Sequence, residues 1–484
     1  MTTITLKQDK LGLWSIPGLV ALDSASGRLV LDRTVLAEAS DRIVFGRGLG
    51  AKHSVHALKE LPTLEKLPTL EKFPKPEGLP RGVLAVVGTT SSKSKSIQEV
   101  LETITRTMSN TYIFQVHGRA DHEAILGGIE ALHRIQASHV IAIGGGTTLD
   151  VGKAIAGLAC QEDGQDIAAF QTGKRTIDPK TALPWIAVPT TSGTGSESTN
   201  NAVVELGDEK RSIRHIPPPR MIIADPAFTD SLPLSYTIVS LVDAVAQSLE
   251  VITHAKASPE VQAVALAAFL NLTEGMKALM PSEHSALGRR TPPGSAGRSG
   301  DNATSPVASR IEIPQNTRDV LSWGSLLMGI AFAHAGLGLP HALVHFCKKF
   351  GMSHGHMVGI LLVPGLRIQA RHNAATAVRL GRVEEAFCFG EEVTDSQNAG
   401  SDKLLEWLEE CISKLFGHVD LPTSLGQAGL NLADLDWIAS QEHALGASFG
   451  IPRRRATQNE LMDVLKKAFQ HANLTQTQNL LQSQ

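Results

Sequence analysis

The sequence predicts an α/β N-terminal domain built on a parallel, Rossmann-like sheet, followed by an all-α C-terminal helical domain. Between about residues 83 and 226, short apolar runs alternate with amphipathic segments. From Ser231 onward the apolar spacing is helical almost throughout. The natural division is therefore 1–230 and 231–484, because a βαβ alternation demands a parallel sheet and a sustained helical period demands helix-on-helix packing.

The elements read in order. VLAVVG from Val83 is a buried strand, SIQEVLETITRTM an amphipathic helix, YIFQV a strand, HEAILGGIEALHRI a helix and HVIAIGGG a strand, which together make βαβαβ. WIAVPTT and MIIADP extend the pattern to about residue 226. Three long helical stretches follow, LSYTIVSLVDAVAQSLEVITH, PEVQAVALAAFLNLTEGMKALM and TRDVLSWGSLLMGIAFAHAGLGLPHALVHF. Two segments break the pattern. Residues 61–72 repeat LPTLEK twice, too short for a solenoid and best read as a local duplication in a surface connection. Residues 286–310 are rich in Gly, Pro, Ser and Arg and cannot bury enough apolar surface to order themselves, so a mobile insertion is expected.

Composition narrows the function. The 484 residues, 42% of them hydrophobic, suffice for two or three closed cores. A net charge of -3, from 45 basic and 48 acidic side chains, leaves no basic field for a polyanion, so no nucleic-acid partner is expected. Cys160, Cys347, Cys388 and Cys411 are scattered, without a C-x-x-C pair, as in a reducing compartment. The N-terminus lacks the unbroken apolar core of a signal peptide, and no stretch approaches the roughly 20 apolar residues of a membrane span. A cytoplasmic enzyme on a small-molecule substrate, with no membrane partner and assembling as a homodimer, is the expectation.

The strongest local signal is Gly144-Gly145-Gly146-Thr147-Thr148-Leu149-Asp150, between a buried strand and a helix. Glycines there let backbone N–H groups approach a phosphate, and the helix N-terminus adds donors and a favourable dipole. A βα turn that merely packs tightly is the competing reading. A second segment, Pro189-Thr190-Thr191-Ser192-Gly193-Thr194-Gly195-Ser196-Glu197, alternates small hydroxyl residues with glycines, which suits phosphate and ribose oxygens.

GGGTTLDVGK and PTTSGTGSE resemble the two signatures of the iron-containing (group III) alcohol dehydrogenase family, in the dehydroquinate synthase-like superfamily. The resemblance continues in order through MIIADP, the helix containing Asp243-Ala244, AGLGLPHALVH and IPRRRATQNELMDVLKKA, from about residue 42 onward. It implies a nucleotide cleft contacted by Gly88, Gly145, Gly146, Thr147, Asp150, Thr190, Thr191 and Thr194. Many relatives end the first strand of the nucleotide domain in an Asp that repels a 2′-phosphate; this chain has Gly88 and Thr89 there, followed by Lys93 and Lys95, which favours NADP(H) over NAD(H).

The resemblance also implies a divalent metal, Fe or Zn, on one Asp and three His. Asp243, His341 and His354 match three of these positions, and Gln247 stands where the remaining His is expected. An amide is a poor ligand for a first-row divalent metal. Three accounts follow: metal held by Asp243, His341 and His354 alone, compensation by His356 or His334, or a metal-free site. His345 reads as a buried histidine supporting His341, and the resemblance sets His334 beside the substrate cavity. The expected activity is hydride transfer between nicotinamide and an alcohol or carbonyl, with Asp243, Gln247, His341 and His354 around the substrate oxygen and His356 or His345 as the proton route. The alternative is a non-redox lyase, isomerase or cyclase reusing the fold.

Overall fold

The computed structural model describes residues 7–8, 13–16, 19–22, 29–31, 43–61, 82–108, 110–206, 209–281, 312–387, 402–441 and 456–469. The repeat beyond Leu61 and the whole insertion at 286–310 lie outside the described residues.

Two short antiparallel ribbons come first, β1 (Lys7–Gln8) with β2 (Trp14–Ser15) and β3 (Val20–Leu22) with β4 (Leu29–Leu31). The central sheet contains β5 (Ile43–Phe45), β6 (Gly82–Gly88), β7 (Thr111–Val116), β8 (Ala137–Gly144), β9 (Trp185–Pro189) and β12 (Met221–Ala224). Every pairing is parallel and the order is β5-β12-β9-β8-β6-β7. Between β9 and β12 the chain makes a hairpin, β10 (Ala202–Leu206) and β11 (Glu209–Ile213).

Alternation along the strands divides the core. Val83, Ala85, Val87, Ile141 and Ile143 face α1 (Gly50–Glu60) and α2 (Lys95–Thr107). Leu84, Val86, Val140 and Ala142 face the larger cluster shared with α3 (His122–Arg134), α4 (Gly146–Leu158), α5 (Ile167–Gln171) and the helical half. A sheet covered on both sides makes its central strands apolar at every position, so VLAVV and HVIAI read as unbroken runs. Edge strand β7 is the exception, with Tyr112 and Ile113 exposed.

The order has one reversal. From β6 the chain moves outward to β7, returns across β6 to β8, and then proceeds the other way to β9 and β12. At such a switch the loops leave the carboxyl ends of adjacent strands in opposite directions and open a crevice. Gly88 ends β6 and Gly144 ends β8, so both glycine positions flank it.

The helical elements are α6 (Leu234–Thr253), α7 (Pro259–Ala278), α8 (Gln315–Phe332), the single turn α9 (Leu339–Leu343), α10 (His354–His372), α11 (Ala374–Phe387), α12 (Asp402–His418), α13 (Leu432–Ser440) and α14 (Gln458–Phe469). Among the described residues α6 is long and apolar enough to cross a membrane by length and composition, which corrects the expectation of no such stretch. Its apolar surface is spent inside the protein, with 83% of its most apolar window buried.

Two junctions tie the helices to the sheet. Arg47, after β5, pairs with Asp230 at 2.6 Å and with Asp319 of α8 at 2.5 Å. Gly195 adopts a left-handed φ of 62° and lies back to back with Gly329 of α8, where a Cβ on either glycine would stand 3.0 Å or less from the other's Cα. Only glycine on both sides permits that approach.

Candidate active site

The first wall of the site is built at the crevice. α4 begins at Gly146 with no acidic residue in its first turn and no side-chain cap, so its leading N–H groups and dipole are available to an anion. Packing dictates the glycines before it. A Cβ on Gly88 would meet Thr148 Oγ1 at 2.7 Å, and one on Gly144 would meet Thr148 Cβ at 2.5 Å. Thr148 thus wedges between the two strand ends. Gly145 and Gly146 are matched in the same way by Thr191 and Thr194. The glycines admit threonines behind the turn, as the tight-packing reading expects, and Thr147 stays exposed in front of it.

Lys153 of α4 anchors the second loop. Fully buried, its ammonium donates to Ser196 O at 2.6 Å, Asn201 O at 2.8 Å and Thr199 Oγ1 at 3.1 Å. Asp150 accepts from Ser196 Oγ at 2.5 Å and from Val203 N at 3.1 Å, and lies 3.5 Å from Lys153. Burial drives Asp150 up and Lys153 down in pKa, while their mutual attraction opposes both shifts. Asp150, expected as a cofactor contact, lines the cleft with both carboxylate oxygens already engaged by the protein, so its part is to brace the loop. Thr190 is also committed inward, its Oγ1 3.0 Å from Ser91 Oγ and its N–H donating to Gly144 O.

The opposite wall comes from α6, α9 and α10. Asp243 and Gln247 are one turn apart on α6, and Glu250 continues the same face. His341 Nε2 lies 3.2 Å from Asp243 Oδ1, and His354 Nε2 lies 3.8 Å from the same oxygen. The ligating atoms of Asp243, His341 and His354 all fall within 4.8 Å of one another, as a shared cation requires. Gln247 Nε2 donates to Asp243 Oδ2 at 3.2 Å. Glu250, completely buried, accepts from Gly338 N at 2.8 Å, from His341 N at 3.2 Å and from His341 Nδ1. Its carboxylate orients the ring and turns Nε2 toward Asp243.

Charge follows this geometry. Burial alone would lower His341, but the Glu250 and Asp243 carboxylates outweigh it and raise the imidazole well above its usual pKa. Asp243 would be raised by burial; His341 and His354 reverse that and hold it below the carboxylate range. His354 is lowered by desolvation first, against the pull of Asp243 and with further lowering from His341, Lys210 and His345.

One cavity of about 730 Å³ joins the walls. Gly146, Thr147, Asp150 and Thr194 line it on the sheet side, and Asp243, Gln247, His341 and His354 on the helical side. Gly88, Gly145, Thr190 and Thr191, also expected as cofactor contacts, are not among the residues that line it. His356 departs from expectation: its Nε2 bonds to Pro422 O at 2.7 Å and its ring packs edge-on to Phe416. Two residues past His354 on a helix is the opposite face, so His356 is neither a replacement ligand nor a proton route. His345, expected buried, is instead exposed and lines the cavity. His334 is absent from the lining, although Ala333 and Ala335 on either side belong to it. Sequence reasoning missed Glu250, Lys153 and the basic residues Lys210 and Arg214, which reach the cavity from the hairpin. A carboxylate and an ammonium inside apolar helical stretches are the signals that pointed to the first two.

The fold and the two-walled cleft define a class of protein, and comparison names the family. Residues 65–226 match the family model described as iron-containing alcohol dehydrogenase, and residues 308–469 match the Fe-containing alcohol dehydrogenase family, C-terminal model. The chain belongs to the iron-containing alcohol dehydrogenase family. It is 30% identical over 224 residues to the probable alcohol dehydrogenase EutG of Salmonella typhimurium, covering 46% of this chain and 48% of that protein. It is 25% identical over 349 residues to the 1,3-propanediol dehydrogenase of Citrobacter freundii, covering 71% and 79%. The aligned stretch thus spans about half the length of EutG. Among solved structures, NADH-dependent butanol dehydrogenase A from Thermotoga maritima superposes with a TM-score of 0.65 at 21% identity, over 89% of this chain and 97% of that one. At that identity the likeness shows the fold.

Proposed function

We propose that the protein is a nicotinamide-nucleotide-dependent alcohol dehydrogenase or carbonyl reductase acting on a small-molecule alcohol, aldehyde or ketone. The observation that carries this is the single cavity joining the uncapped N-terminus of α4 to the Asp243, His341 and His354 cluster. The residues fit both groups: exposed Thr147 and the free leading N–H groups suit a pyrophosphate, and one carboxylate with two imidazoles suits a divalent cation. When bound, the nucleotide supplies the hydride donor or acceptor, and the cation supplies Lewis acidity at the substrate oxygen.

The chain's own residues do the rest. Glu250 holds the His341 ring in register with Asp243. Phe332, Leu337 and Val344 line the cavity with apolar surface that displaces water from the reacting atoms. His345, exposed on the same wall, is the proton route to solvent. Lys93 and Lys95 stand exposed after β6, with glycine rather than an acid at the strand end, which supports a preference for NADP(H). In this reading residues 1–230 carry the nucleotide and 231–484 the metal and substrate. Free thiols at Cys160 and Cys411 support a cytoplasmic setting, and a homodimer is the proposed assembly.

Purified protein supplied with Fe²⁺ or Zn²⁺ and a panel of aldehydes and ketones is expected to consume NADPH faster than NADH. Equal or greater use of NADH would overturn the cofactor preference, and no turnover with either, together with no nucleotide binding, would overturn the activity. The non-redox alternative is not favoured, since its motivation at Gln247 leaves the rest of the cluster intact.

A further inference from the structure

Gln247 is 4% exposed and lines the cavity, yet its Oε1 is buried with no hydrogen-bond partner. A buried acceptor left empty costs about 1–3 kcal/mol, so one that persists calls for a ligand. The orientation of the amide is set by its surroundings. Nε2 donates to Asp243 Oδ2 at 3.2 Å, and the flipped amide would set oxygen against carboxylate oxygen. Oε1 is therefore turned away from Asp243 Oδ2 and has no donor, although Gln247 lines the cavity together with Asp243, His341 and His354.

We propose that Gln247 Oε1 is a further metal ligand, and that with an oxygen where a histidine would put a nitrogen the site discriminates less strongly for zinc(II) over manganese(II) and iron(II). The inference rests on the metal-bearing reading of the cleft. Imidazole nitrogen suits zinc, whereas carbonyl and carboxylate oxygens suit harder cations such as manganese(II), so exchanging one imidazole for an amide oxygen costs zinc the more. A histidine at this position supplies a nitrogen; the glutamine supplies a neutral oxygen and also ties down Asp243, so the helix face is kept while the selectivity moves. The amide is thus neither a defect nor a bystander of the cluster.

The test reads metal binding without turnover. Full-length protein stripped with chelator is titrated with Mn²⁺, free ion being followed by electron paramagnetic resonance, and with Zn²⁺ against a chromophoric chelator. Gln247→Leu is expected to weaken Mn²⁺ binding by about tenfold or more, Gln247→Glu to retain it, and Gln247→His to raise Zn²⁺ affinity relative to Mn²⁺ by about tenfold. Thermal melts check that each variant folds, and Gln247→Glu, nearly isosteric, carries the test if the leucine variant does not. Manganese affinity unchanged in Gln247→Leu, lost in a folded Gln247→Glu, or a zinc-to-manganese ratio unmoved in Gln247→His overturns the inference alone. Wild-type protein that binds neither metal overturns the metal-bearing reading as well.

Discussion

Glu250 shows what one buried side chain controls. It accepts from the His341 ring and from two backbone N–H groups at the start of α9, so removing its charge loosens the ring and the turn together. Glu250→Gln is expected to lower metal retention and turnover by about 10- to 100-fold, measured by metal content after dialysis and by initial rates. Glu197 makes a prediction of opposite sign. Burial pushes its carboxyl up from 4.5 to about 7, so in the folded state it keeps its proton where the unfolded chain has lost it. Stability is then lost as pH rises from about 4.5 through 7. Glu197→Gln should remove that slope, and should gain up to about 3 kcal/mol relative to wild type between pH 5 and pH 8 in denaturant titrations. At this scale Asp243, His341 and His354 were legible because their motifs survive, and their convergence is visible in the structure. His356 misled because adjacency in sequence is opposition on a helix, and Glu250 was hidden because its partner lies 91 residues away.

Elements were read well where burial is two-sided and poorly where it is not. β6 and β8 are apolar at nearly every position, and α2 is amphipathic over its whole length, so each declares itself. β10 and β11 mix Val203 and Val204 with Glu205, Lys210 and Arg211, and that ribbon carries no continuous apolar run to betray it. β5 is three residues long and finds its place only through β12, 179 residues downstream by the pairing of Ile222 with Ile43. The glycine pair is the element-scale prediction. Gly195→Ala forces a side chain into a left-handed backbone and against Gly329 Cα, and is expected to cost about 2–4 kcal/mol. Gly329→Ala has no backbone strain and meets Gly195 Cα at 3.0 Å and Ser198 Oγ at 3.1 Å, so about 1–3 kcal/mol is expected. Chemical denaturation of both variants checks the ranking, and near-equal losses would mean that packing alone sets them.

For the whole molecule, ligand and fold are coupled because the cavity is bounded by both halves. Nucleotide or metal bound to the native state alone stabilises it by about 2.7 kcal/mol at a hundredfold excess over Kd. Thermal melts with NADPH, with Mn²⁺ and with both should shift upward in each case, and a nucleotide that leaves the melt unmoved at saturation argues against binding in the cleft. The buried knot of Lys153, Asp150 and Ser196 carries the wider lesson. Three of the letters by which this lineage is recognised serve as masonry, holding one loop upright from behind the chamber. A mutational scan scored only by cellular abundance should therefore mark Gly144, Asp150 and Lys153 as sharply as one scored by catalysis. A descendant that abandoned its ancestral chemistry would go on wearing the same badge.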